Sequence, residues 1–187
     1  MKKKFLKNTY KFSALALAGL LSACAQKYDS LPNTRIMTCP NPIATYEIGI
    51  VRSGEHNSLE ISRKDLQSQI QEALTQSNCF LQTQQTSNLF KHYRLDIAYG
   101  NINTQNTQNN FLRSETSDTL IFEVQLAFNH FNEVRIFQGK SSIESTNKQY
   151  LKVFGKSSML DANQIQITLQ NAVNSAVNEA VRNFSNQ

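Results

Sequence analysis

The chain of 187 residues has no tryptophan, three prolines, three cysteines and six glycines. It also lacks a long hydrophobic run. The most apolar stretch, Phe12–Leu21, would span only about 15 Å as a helix, roughly half a bilayer's hydrocarbon core. Nothing later approaches the roughly 18 apolar residues that a transmembrane helix needs, so a permanent transmembrane helix is a poor reading. The net charge of +5 is equally confined. Residues 1–23 hold Lys2, Lys3, Lys4, Lys7 and Lys11 and no acid, and the remainder carries 14 basic and 14 acidic residues. Without a basic footprint, nucleic acid is excluded as a partner, and so is electrostatic docking to a membrane.

Catalytic signatures are missing as well. No Gly-x-Ser-x-Gly, Walker loop, Gly-x-Gly-x-x-Gly or His-Glu-x-x-His occurs, and these patterns would position a nucleophile, phosphate or zinc ion. His56, His92 and His130 are scattered, and Cys39-Pro40 has no second ligand at zinc spacing, so no metal or other cofactor is expected. Glu115 and Asp118 read as solvated acids flanking a loop. Arg94 and Asp96, two apart on one strand face, read first as a surface pair and second as a binding pair. A non-enzymatic role is expected.

What is present begins with an address. Five lysines followed by the apolar run Phe12–Leu21 form the charged and apolar regions of a secretory signal. Small residues, Ser22-Ala23, then lead directly into Cys24. Leu21-Ser22-Ala23-Cys24 resembles the lipobox of bacterial lipoproteins. That resemblance implies that Cys24 is acylated on sulfur, becomes the first residue after cleavage and is acylated on its amine. Each buried methylene adds about 0.8 kcal/mol, so several acyl chains anchor far more firmly than one. Ala25 in place of aspartate implies, by similarity to enterobacterial sorting, an outer-membrane address; an accessory subunit there is expected to face the periplasm.

Beyond the signal (1–23), residues 24–42 read as a lipidated tether that holds Pro32, Pro40 and Pro42 and shows no period. Residues 43–187 read as one domain. Cys39 and Cys79 remain after lipidation. In an oxidising envelope they are expected to form a disulfide closing a loop of about 40 residues, with two buried thiols as the alternative. Tyr46, Ile48 and Ile50 alternate on a first strand, Ala44–Arg52. Ser62 opens a helix with the stripe Leu66, Ile70, Ala73 and Leu74, stopped by Asn78. Cys79–Thr83 follows as a second strand parallel to the first, and Tyr93–Tyr99 as a third. Residues 100–118, rich in Asn, Gln and Thr, have little to bury and read as a mobile loop, with Phe111 and Leu112 as its anchor or as a partner contact. Thr119–Asn129 and Val134–Gln138 form a hairpin, the second strand reaching toward Ile143, and residues 147–160 fit no single element. Asp161 caps a last helix at about 162–184. Its apolar face runs from Ile165 to Phe184, and Gln166, Gln170, Asn174 and Asn178 lie opposite. Ala172, Ala176 and Ala180 suit close packing on a sheet. The expected fold is α+β: a two-layer sandwich of about five mostly antiparallel strands with two helices on one face, in the order β-α-β-β-β-β-α.

Residues 43–184 resemble small envelope lipoproteins in element order. Leu66–Thr83 ("LQSQIQEALTQSNCFLQT") leading to Tyr93–Ile97 ("YRLDI"), then a hairpin and a C-terminal helix, is similar to auxiliary lipoproteins of ABC-type envelope transport systems. It is similar also to the periplasmic domain of curli-type secretion lipoproteins and to lipoprotein activators of penicillin-binding proteins. The resemblance transfers no site residue beyond Cys24. It implies an accessory or scaffold subunit with an envelope protein partner. A carrier of lipid or another apolar ligand, and a surface-exposed interaction lipoprotein, are the competing readings.

Overall fold

Strands form where apolar residues alternate, and they are longer than that alternation. The computed structural model describes residues 32–84, 89–109, 113–150 and 160–186. Its elements are β1 (Ala44–Asn57), α1 (Arg63–Ser77), β2 (Phe80–Gln82), β3 (His92–Asn109), β4 (Arg113–His130), β5 (Glu133–Tyr150) and α2 (Ala162–Ser185). The signal segment, Cys24, Phe111 and Leu112 lie outside the described residues. No helix among the described residues is long and apolar enough to cross a membrane.

The sheet order is β2-β1-β3-β4-β5. β1 is parallel to both β2 and β3, whereas β3, β4 and β5 are antiparallel. The fold is thus α+β with five strands in a curled half-barrel and two helices, and the sheet is mixed where mostly antiparallel pairing was expected. The reason lies in the connections. The crossover through α1 makes β2 parallel to β1, and β3 then joins the other side of β1 in the same direction. Three strands of 18 residues accumulate enough right-handed twist to curl the sheet.

Residues 100–118 are the clearest departure from expectation. Gly100–Asn109 continues β3 and Arg113–Asp118 begins β4, paired without a register break from Arg94↔Asn129 to Asn109↔Ser114. Burial cannot hold the exposed Ile102–Gln108, but the ladder already formed by the core templates further backbone pairs. β5 likewise runs through Ile143 to Tyr150.

Both helices begin at the expected caps, and the first ends at the expected stop. The Ser62 side chain accepts the Asp65 N–H, and Asn78 adopts φ 54° at the end of α1. Asp161 and Gln164 cap α2 reciprocally, at 2.7 and 3.0 Å. Leu66, Ile70, Ala73 and Leu74 of α1 and Leu169, Val173, Ala176, Val177, Ala180 and Val181 of α2 share one core with Tyr93, Leu95, Ile97, Leu120, Phe122, Val124, Leu126 and Phe128. Phe80, Tyr93, Phe128, Phe137 and Phe184 cluster at one end, with ring centroids 5.2–6.0 Å apart. Gly139 sets the depth of α2. A Cβ there would lie 1.9 Å from the Ala172 carbonyl oxygen and 2.4 Å from the Ala176 nitrogen, so helix and sheet backbones touch.

The alternation of β1 breaks at Ile50, which is 60% exposed although it was expected beside Tyr46. A bulge inserts one extra residue: Ile48 pairs with Leu95 but Val51 with Ile97. Val51, not Ile50, therefore packs on the core.

Candidate functional site

The most built feature outside the core is a strap. Residues 32–37 run along α2, held by Asn171, Asn174 and Asn178, whose spacing of three and four places them on one helix face. The Asn171 side chain accepts the Thr34 N–H at 2.7 Å and donates to the Pro32 carbonyl at 3.1 Å. Asn174 donates to the Thr34 carbonyl at 2.7 Å. Asn178 donates to the Arg35 carbonyl at 2.8 Å and accepts the Met37 N–H at 2.7 Å. All three asparagines are buried. Their bonds to the strap all go to its backbone, and Asn174 also accepts from the Gln170 side chain at 2.9 Å. Sequence reasoning placed Asn174 and Asn178 on a solvent face and Pro32–Asn41 in an unattached tether. The signal that was available is the 171/174/178 spacing of residues able both to donate and to accept.

The strap ends in a covalent clamp. Cys39 and Cys79 form a disulfide with Cα atoms 5.0 Å apart. The Cys39 N–H also donates to the Ser77 carbonyl at 2.9 Å, and the Asn78 side chain donates to the Cys39 carbonyl at 3.0 Å. Ile43 and Ala44 both donate to the Cys79 carbonyl, so strap, start of β1 and end of α1 meet at one junction.

Of the other singled-out residues, Arg94 and Asp96 do pair, at 3.2 Å. Asp96 also accepts the Ile50 N–H at 2.9 Å and the Asn129 amide at 3.1 Å. Its carboxylate occupies the space over Gly49, where a Cβ would meet it at 2.1 Å. The pair thus holds the β1 bulge. Glu115 and Asp118 lie on β4, where Asp118 is buried and not a solvated acid at a loop. His92 and His130 come together at one sheet end, where the His92 carbonyl lies 2.7 Å from His130 Nδ1; His56 is on β1. Among the described residues no group of three His, Cys, Asp or Glu side chains could hold a metal ion.

Among the described residues no element covers the sheet face away from the helices. A shallow cleft of about 370 Å³ crosses it, lined by Gly54–His56, Gly100, Ile102, Ile121 and the Glu123–Lys140 ion pair at 2.8 Å. At the β4–β5 turn Phe131 is 95% exposed with φ 49°, the left-handed region that a bulky residue rarely adopts. Val134 and Ile136 extend this apolar tip. Beside it, Glu133 accepts from Lys91 at 2.6 Å and from Arg135. Hydrogen bonding to Lys91 and then to Arg135 holds the Glu133 carboxyl below its ordinary range, and the same bond raises Lys91. In the core, burial pushes the Tyr46 hydroxyl up to about 12.

No family model and no curated protein matches the chain. Solved structures similar in trace include a protein described as a neuraminyllactose-binding hemagglutinin homolog from Helicobacter pylori, at 11% identity and TM-score 0.41, covering 83% of this chain and 91% of that one. A hypothetical protein from Chlamydia trachomatis is 13% identical with TM-score 0.29, over 77% and 92%. A minor lipoprotein from Acinetobacter baumannii is 9% identical with TM-score 0.34, over 79% and 94%. At these scores no property of the three passes to this chain.

Proposed function

We propose that this chain is a bacterial lipoprotein, anchored through acylated Cys24 in the outer membrane and facing the periplasm. Its body would be a non-enzymatic accessory or scaffold subunit of a cell-envelope transport or assembly machine. The observation that carries the reading is the clamped strap. The segment that follows the lipobox is bound to the body from Pro32 onward by five amide hydrogen bonds and then by the Cys39–Cys79 disulfide. The covalent length of the chain from Cys24 to Pro32 bounds their separation at about 30 Å. The disulfide suits an oxidising compartment, and the exposed Phe131, Val134 and Ile136 suit contact with a protein partner.

The carrier reading needs space between sheet and helices, and the backbone contact of α2 over Gly139 fills that space where it occurs. Crosslinking of the tagged full-length protein in cells, followed by mass spectrometry, tests the proposal. A reproducible transport, secretion or cell-wall component is the expected capture. Recovery of lipid in its place would favour the carrier, and cleavage by protease added to intact cells would favour the surface reading. Cys24→Ala is expected to leave the protein unlipidated, and its continued fractionation with membranes would remove the anchor from the proposal.

A further inference from the structure

The two long edges of the sheet are treated differently. β1 stops pairing with β3 at Asn57↔Asn101. Asn101, 1% exposed, turns the chain away there. Its side chain accepts the Leu59 N–H at 2.7 Å and donates to the Leu59 carbonyl at 2.9 Å and to Asn57 at 3.1 Å. Its own carbonyl accepts the Ser58 N–H at 3.2 Å, on the side away from β4. Peptide groups of alternate residues share an orientation, so Asn103, Gln105 and Thr107 also turn theirs away from β4. Past Asn101, β4 is the strand that pairs with β3 among the described residues, and Ile102–Gln108 are all exposed.

Natural sheet edges are blunted by charge, proline, bulges or a covering element. Ile102–Asn109 (Ile-Asn-Thr-Gln-Asn-Thr-Gln-Asn) has no charge and no proline, and its register with β4 runs without a bulge. The β5 edge is guarded. It carries Lys140 and Glu144, and its outward Gln138 N–H is taken by Glu179 of α2 at 2.7 Å.

We propose that the β3 edge over Asn103–Asn109 pairs antiparallel with the same edge of a second copy of this chain about a two-fold axis, joining two sheets into one. The asymmetry between the edges selects this arrangement. Pairing of β3 with a neighbour's β5 would repeat without end, and the guarded β5 edge opposes it. Pairing of β3 with β3 closes on itself. The uncharged Asn, Gln and Thr side chains meet their own kind without like-charge repulsion. The pairing does not depend on the lipid anchor.

Single cysteines placed in the full-length chain in its native membranes test this: Asn103→Cys, Gln105→Cys and Thr107→Cys, with Ser142→Cys on β5 as the control. Directly opposed residues of an antiparallel pair lie about 5.5 Å apart at Cα, within disulfide reach. Mild oxidation is expected to give a disulfide dimer at the β3 position nearest the axis and none at Ser142→Cys. Adding Gln105→Pro to Asn103→Cys or Thr107→Cys removes an outward N–H while leaving the ladder to β4 its bonds, so it is expected to abolish the dimer with the circular dichroism spectrum retained. Absence of a dimer at all three β3 positions, a β3 cysteine joined to Ser142→Cys in mixed membranes, or an adduct with a different protein in place of the dimer would each overturn the proposal.

Discussion

A single strand, β3, passes through two regimes. From Tyr93 to Tyr99 every second side chain is buried under the helices, beside Phe122–Phe128 of β4 on the same face of the sheet. From Ile102 to Gln108 every residue is exposed, yet the ladder to β4 continues in the same register. The first half is held by apolar area, worth roughly 1.5–3 kcal/mol for each fully buried large side chain. The second is held by backbone pairs that net roughly 1 kcal/mol or less. Hydrophobic alternation therefore locates the core, but it does not mark where a strand ends.

That contrast can be broken at its strong end. Phe128→Ala empties the centre of the aromatic cluster and is expected to cost about 3–5 kcal/mol in denaturant unfolding; a loss below about 1 kcal/mol would mean that the cluster is not the core's keystone. Next comes the clamp. Cys39→Ser is expected to cost about 2–4 kcal/mol, and an unchanged melting temperature with a reactive Cys79 thiol would remove the disulfide from the protein's stability. Asn174→Ala deletes one bond of the strap and is expected to cost about 1 kcal/mol, with faster hydrogen exchange at Thr34 and Met37. Should exchange there stay as slow as in α2, the ladder would not be what holds the strap. The smallest effect belongs to the arm: Asn106→Ala is expected to stay within about 0.5 kcal/mol of the parent. A loss above 1 kcal/mol would join the arm to the cooperative core and erase the distinction between the regimes.

The helices were legible because their signals are local. Ser62 and Asp161 cap, Asn78 stops, and the stripes from Leu66 to Leu74 and Ile165 to Phe184 keep the helical period. The cysteine pairing was legible from parity and from the compartment that the lipobox-like start led us to expect. The bulge at Gly49-Ile50 was not, because it is fixed by Asp96, 46 residues away from Ile50 in sequence. The polar arm was hidden for a different reason: Asn, Gln and Thr carry no period when neither sheet face is covered. The strap escaped because a side chain that binds backbone leaves no pattern in the segment it binds.

The strap also determines how the fold meets a pull at its N-terminus. Tension would arrive at Pro32 and run beside α2 in the direction of that helix, since Pro32 and Thr34 meet Asn171 while Met37 meets Asn178. It would load the amide bonds before anything in the core. At Cys39 the load path forks, through the disulfide into the junction of α1 and β2 and along the chain into β1. Even with the amide ladder stripped, extension of the loop between residues 39 and 79 would be barred by a covalent bond. A molecule held by its first residue would thus yield in a short, recoverable stretch while its sheet stayed intact.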